Sequence, residues 1–151
     1  NGEPNLIVAD IGDNGRNRGD INLLVFVEPD FASLATGFNT TITGSQIALS
    51  YGDGLAYDAE GIFIDTDNDT LVLVTKDTRD EIDQGIWTGS FTNAMTNGSL
   101  VLDYAGAVVL PSENLADAIT DVDIHPNGEE LAVLTYSALI TCVAHQLLFS
   151  L

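Results

Sequence analysis

Two carboxylates two residues apart, Asp58 and Glu60, stand directly ahead of the apolar run Gly61–Asp65. On an extended strand, residues at i and i+2 point to the same side. Such a pair can share a hard, oxygen-liking cation such as calcium, or one carboxylate can raise the pKa of the other and make it an acid. A third role is structural: one carboxylate accepts from backbone N–H groups and ties neighbouring segments together. Asp10 and Asp13 are the best additional contributors, flanking Gly12 where the chain must turn tightly, with Asn14 next in line. The chain's four cations, Arg16, Arg18, Lys76 and Arg79, fall in two loops, Ile11–Asp20 and Lys76–Gln84. With Asp121 these residues make up a candidate ligand-binding group, and Asp58 and Glu60 a candidate metal pair. The competing reading is that the cations simply pair with the carboxylates around them, since surface ion pairs are common and individually weak.

Other chemistries find no support. There is no Gly-x-Ser-x-Gly elbow, no phosphate-cradling Gly-x-x-x-x-Gly-Lys and no His-Glu-x-x-His. His125 and His145 have no evident Ser or Cys partner. The stretch Asp65-Thr66-Asp67-Asn68-Asp69-Thr70 fits the first, third and fifth positions of an EF-hand loop. It lacks the glycine at the sixth, and Lys76 stands at the twelfth, where a bidentate Glu belongs. A hairpin turn explains it better. Cys142 is the only cysteine, so no intrachain disulfide forms, and it reads as a small buried apolar residue. Trp87 is expected to cover an interface with its indole N–H bonded locally.

The bulk composition bounds the rest. Asp and Glu number 23 against 4 Lys and Arg in 151 residues, a net charge of −19. Yet 45% of residues are hydrophobic and only 18% charged, so the chain can bury a core and is no disordered acidic tail. A field this negative repels phosphate backbones and anionic lipid, so no nucleic-acid partner is expected. No apolar run reaches the ~18 residues that a membrane helix needs.

The elements that must position these residues are strands. Short runs rich in Val, Ile, Leu and Thr alternate with Gly/Asn/Asp clusters. The pattern predicts strands at Leu6–Asp10, Ile21–Val27, Gln46–Tyr51, Gly61–Asp65, Leu71–Lys76, Gly85–Phe91, Ser99–Val109, Val122–His125, Leu131–Tyr136 and Leu139–Ala144. Helical periodicity is weak, with one turn at most over Leu115–Ile119. The chain also repeats itself. A shift of 60 residues lays Glu60–Ile64 over Thr120–Ile124 and Leu71–Thr75 over Leu131–Thr135, and a shift of 65 lays Leu6–Asp10 over Leu71–Thr75. Strand, tight turn, strand, longer loop, strand, connection, strand is the pattern of a β-propeller blade. The expected fold is therefore all-β: a partial β-propeller of about two and a half to three blades of four-stranded antiparallel sheet. It divides into a blade part at 5–51, a blade at 58–104 and a blade at 119–151 whose C-terminal end reads as truncated. Closed propellers have at least ~4 blades, so the ring is completed by further chain or by self-association through open blade edges, a homodimer being the usual solution. The start at Asn1 and the lone Met95 point the same way, to a processed product or a piece of something longer.

Val8-Ala9-Asp10-Ile11-Gly12-Asp13-Asn14, with Arg16, Arg18, Ile21 and Phe26-Val27-Glu28-Pro29 after it, resembles a segment of a group of secreted bacterial β-propeller proteins of uncharacterised function. Tyr51–Glu60, Val74-Thr75-Lys76 and Thr120–Gly128 are similar to later elements of that group, in the same order. The resemblance implies an extracytoplasmic location and a binding or scaffold module of unknown ligand. Asp58-Ala59-Glu60-Gly61 is also similar to an element of phytase-like and esterase-like propellers, where acidic residues at the channel can hold calcium. That likeness implies calcium as the cofactor and, as the enzymatic alternative, a calcium-dependent hydrolase using the Arg and Lys loops on an anionic substrate. A third alternative is an assembly module that builds a ring by oligomerisation.

Overall fold

Every one of the ten apolar runs becomes a strand in the computed structural model, which describes residues 4–29, 41, 43–76, 84–108 and 118–143. The strands are β1 (Asn5–Asp10), β2 (Ile21–Val27), β3 (Ser45–Tyr51), β4 (Ala59–Asp65), β5 (Thr70–Thr75), β6 (Gln84–Ser90), β7 (Ser99–Val108), β8 (Ile119–Ile124), β9 (Glu130–Thr135) and β10 (Leu139–Val143). The class is all-β. Three successive units are antiparallel meanders: unit 1 is β1–β2–β3, unit 2 is β4–β5–β6–β7, and unit 3 is β8–β9–β10.

Two features depart from the sequence pattern. A short helix, α1 (Phe91–Asn97), replaces the expected continuation of β6 through Phe91. Phe91, Ala94 and Met95 carry the i, i+3, i+4 spacing for less than two turns, too short a stretch for periodicity to register. Its ends are conventional. The Ser90 hydroxyl accepts from the Asn93 N–H, and Gly98 takes the left-handed conformation (φ 68°) that closes a helix, its N–H donating to the Ala94 carbonyl. The second departure follows from the first. The helix turns the chain so that β7 runs parallel to β3, from Ala48 opposite Ser99 to Tyr51 opposite Leu102. Units 1 and 2 thereby join in one rolled seven-stranded sheet, β1-β2-β3-β7-β6-β5-β4, instead of standing as separate sheets. Unit 3 forms a three-stranded sheet of its own, β10-β9-β8. Of the turn expected at Leu115–Ile119, Ile119 opens β8 and residues 115–117 lie outside the described ones.

Unit 2 lies between two cores. On one side Leu71 and Leu73 of β5 and Trp87 of β6 pack against Leu23, Ile47 and Leu49 of unit 1. On the other, Val72 and Val74 of β5 and Ile86 of β6 pack against Val122, Leu131 and Val133 of unit 3. This is why β5 reads as an unbroken apolar run: it is buried on both faces. Cys142 in β10 is half-buried against the second core, and burial pushes its thiol pKa up, the opposite of a reactive cysteine.

The repeat persists in atomic detail. β4 carries a bulge at Glu60 against β5, and β8 carries one at Thr120 against β9, one 60-residue period later. Thr75 ends β5 with a buried hydroxyl that accepts from the Gly85 N–H at 3.0 Å. Thr135 ends β9 in the same way and accepts from the Ala138 N–H at 3.0 Å. Beside the first bulge, β4 and β8 come so close that a Cβ on Gly61 would lie 2.8 Å from the Val122 backbone nitrogen. Only glycine fits there.

Candidate functional site

The polar residues singled out by type and spacing gather at one end of the units, where loop 11–20 leaves β1 and the chain runs into β4. Asp58, the residue before β4, is buried. Its Oδ1 accepts from the Asp13 N–H at 2.7 Å, a contact between residues 45 apart that ties unit 1 to unit 2. Asp13 is also buried, and its Oδ2 accepts from the Arg18 N–H at 2.7 Å. Its carbonyl closes the turn by accepting from the Arg16 N–H at 2.8 Å, with Arg16 itself at positive φ. These two carboxylates satisfy backbone donors that the tight loop would otherwise leave unpaired.

Arg18 closes the loop from outside. Its guanidinium takes both oxygens of Asp10, at 2.8 and 2.9 Å, and reaches Asp20 Oδ1 at 3.1 Å and the Gly12 carbonyl at 2.9 Å. The fork geometry of arginine suits such bidentate pairing. Hydrogen bonding to Arg18 holds the Asp10 carboxyl below its usual pKa, and the same contacts push the arginine's up.

On the unit 2 side, Lys76 follows β5, and its N–H donates to the Asp58 carbonyl at 2.7 Å. Its ammonium stands 2.9 Å from Glu60 Oε1 and 3.9 Å from Asp58 Oδ2. It also donates to the Tyr136 hydroxyl at 2.8 Å and lies 5.1 Å from that ring's centre. Hydrogen bonds to Tyr136 and Glu60 raise the lysine's pKa well above its ordinary value, outweighing partial burial. Lys76 and Tyr136 are one repeat period apart, so equivalent positions of units 2 and 3 touch directly. A continuous polar chain results, Asp10–Arg18–Asp13–Asp58–Lys76–Glu60/Tyr136, crossing all three units.

Of the candidate residues, Asp10, Asp13, Arg18, Asp58, Glu60 and Lys76 are thus brought together. Asn14 is exposed in the turn after Asp13. Arg16 borders a cleft described below, and Arg79 lies outside the described residues. Asp121 stands apart in β8 on an exposed face, its Oδ1 accepting from the Val122 N–H at 2.8 Å. Tyr136 was missed, since it carries no catalytic signature; extending the 60-residue shift by one residue past Thr135 lays it over Lys76. The bulge at Glu60 means that Asp58 and Glu60 are not a regular i, i+2 strand pair, and the Lys76 ammonium stands where a shared metal ion would sit. Calcium needs six to eight oxygens. Among the described residues no three His, Cys, Asp or Glu side chains converge in a metal-ligating group. Asp58 and Glu60 therefore do not fit calcium unless Lys76 moves away. In the EF-hand-like stretch, Asp65 Oδ1 accepts from the Asp67 and Asn68 N–H groups at 3.1 and 3.2 Å, a hairpin turn held by its own carboxylate.

Behind the carboxylates lies an aromatic cluster. Tyr51, Tyr57 and Trp87 have ring centroids 4.9 to 5.0 Å apart. The Tyr57 hydroxyl donates to Asp53 Oδ2 at 2.6 Å. The Tyr51 hydroxyl and the Trp87 indole N–H, both buried, have no partner. The local bond expected for Trp87 is thus missing among the described residues, its indole nitrogen lying beside Gly85. Burial first, then the nearby Asp13 and Asp58 carboxylates, push the Tyr51 pKa up. Tyr51 also lines a cleft of about 380 Å³ between loop 16–19 and turn 54–56, with Arg16, Arg18, Ser50 and Leu55 on its walls.

No family model matches the chain, and no curated protein and no solved structure is similar to it. No helix among the described residues is long and apolar enough to cross a membrane.

Proposed function

We propose that the chain supplies units of an extracytoplasmic β-propeller that serves as a binding module, its ligand held at the end of the units where loop 11–20 meets turn 52–56. Support for the propeller comes from the recurrence of the bulge, the buried threonine and the Lys76/Tyr136 position at one period, together with the packing of unit 2 against unit 3. The extracytoplasmic location rests on the family resemblance. The observation that carries the binding reading is the cleft of about 380 Å³ bordered by Arg16 and Arg18. Its volume falls in the range of small-molecule sites, about 300–1,000 Å³. In a chain of charge −19 it has two of the three described cations on its walls. A polar or anionic small molecule suits it, with Ile21 and Leu49 supplying apolar contact.

Binding is favoured over hydrolysis because the carboxylates that a hydrolase would use are engaged. Asp13 and Asp58 accept from backbone N–H groups, Glu60 from Lys76 and Asp10 from Arg18. The test is a panel of small carboxylates, phosphates and sugars followed by amide NMR. Binders should move the Arg16–Ile21 and Tyr51–Ala56 amides, and Arg16→Ala should weaken them about tenfold, the equivalent of about 1.4 kcal/mol. Binders that perturb only residues elsewhere, or an affinity indifferent to Arg16→Ala, would reject this cleft as the site.

A further inference from the structure

The repeat sorts the apolar side chains of each unit onto two faces. Within β5, Leu71 and Leu73 face unit 1 at 0% exposure, while Val72 and Val74 face unit 3 at 1% and 3%. Alternate positions of that strand thus look back to the preceding unit and forward to the next. The strands aligned with β5 keep the same division. In β9, Leu131 and Val133 look back and pack on unit 2. Leu134, the equivalent of Val74, looks forward to no described residue and is 44% exposed. In β1, Ile7 and Ala9 look forward into the first core. Leu6 and Val8, the equivalents of Leu71 and Leu73, look back to no described residue, each 45% exposed. Neighbouring strands extend both faces, Leu139 and Val143 of β10 on one and Leu24 and Phe26 of β2 on the other.

The second core is the contact between a forward face and a backward face, and among the described residues the forward face of unit 3 and the backward face of unit 1 each present one half of such a contact. We infer that a second copy of the chain completes them, the forward face of unit 3 in one copy receiving the backward face of unit 1 in the other. The inference rests on the propeller reading. The contact is heterologous, and two copies joined head to tail at both ends close a ring of six units, within the usual span of about four to eight blades. The polar positions agree. Asp121 and Asp123 of β8 are exposed on the forward face, where unit 2 has Gly61 and Phe63. Among the described residues unit 1 holds no counterpart of β4 and β8 to stand opposite these carboxylates, which are exposed. Apolar side chains lie where an opposing strand is present.

Sedimentation equilibrium of the whole chain tests this, with Val8→Lys spoiling the backward face and Leu134→Lys the forward one. Both side chains are half in water, so folding should survive, and circular dichroism checks it; Leu6→Lys and Leu139→Lys serve as second variants of each face. The wild type should have twice the chain mass and each variant the single mass. A mixture of the two variants should regain the double mass, because the unspoiled forward face of one meets the unspoiled backward face of the other. A wild type of single mass at every soluble concentration overturns the inference. So does a dimer that these variants leave intact, or a pair of variants that fail to complement, as an isologous dimer would. None of these outcomes touches the cleft, whose ligand test reads amide shifts and not mass.

Discussion

Asp58→Ala removes the acceptor that joins unit 1 to unit 2. The bond is short (2.7 Å), buried and accepted by a carboxylate, and its donor is a backbone N–H in a loop. A hydrogen bond to a charged group contributes about 1.5–3 kcal/mol, and a buried donor left unpaired costs about 1–3 kcal/mol, two views of largely the same loss. The Lys76 ammonium, at 3.9 Å from Asp58 and 2.9 Å from Glu60, keeps its better partner and adds little. We expect Asp58→Ala to destabilise by about 2–3 kcal/mol. In a domain of this size that lowers the melting temperature by roughly 4–12 °C. Asp58→Asn keeps a neutral oxygen in place and should lose only about 1 kcal/mol. Urea unfolding gives the two free energies, and amide exchange reports the bond itself: the Asp13 N–H should be protected in the wild type, less so in Asn and least in Ala. If Ala and Asn prove equal, or Asp13 exchanges at the same rate in all three, the Asp58 carboxylate does not carry the bond to Asp13.

Three further outcomes follow from the same geometry. Tyr51→Phe deletes a buried hydroxyl that has no partner and should leave stability unchanged or raise it by up to about 1 kcal/mol; a clear loss in thermal melts would mean that the hydroxyl is bonded in solution. Stability should decline as pH rises above about 10: Lys76, raised in the folded state, contributes below its ordinary value near 10.5 and loses that contribution as pH climbs towards its folded one, and Tyr51, also raised, resists an ionisation that the unfolded chain undergoes freely. Lys76→Met should flatten part of that decline in pH-dependent melts, and an unaltered profile would refute the assignment. Calcium at Asp58 and Glu60, proposed from the resemblance, has to displace the Lys76 ammonium, so Lys76→Ala should gain more in melting temperature from calcium than the wild type does; equal responses would sink that proposal.

Strands were legible because alternation and continuous apolar runs are local signals. Ten runs became ten strands, but the faces of β5, an unbroken apolar run, were set only by the two cores on either side of it. α1 was not legible: seven residues cannot display a helical period, and its stability comes from the Ser90 cap, Gly98 and the burial of Ala94, of which only the first two are written locally. The parallel β3–β7 ladder was hidden for the same reason, since it depends on where that helix delivers the chain.

The site divides along similar lines. Residue types and spacing by themselves pointed to Asp10, Asp13, Arg18, Asp58, Glu60 and Lys76 as neighbours, because loops that follow equivalent strands of a repeat emerge at the same end, but they also grouped with them Asp121, which stands apart in β8. They left open whether Asp58 serves a metal, an acid or a backbone donor, since a carboxylate's role depends on what lies within about 3 Å of it. The tertiary structure decided that geometry: an Asp13 N–H 2.7 Å from one oxygen of Asp58, and an ammonium between Asp58 and Glu60. Those neighbours come from 45 residues upstream and 18 residues downstream of Asp58, a distance in sequence that only folding closes.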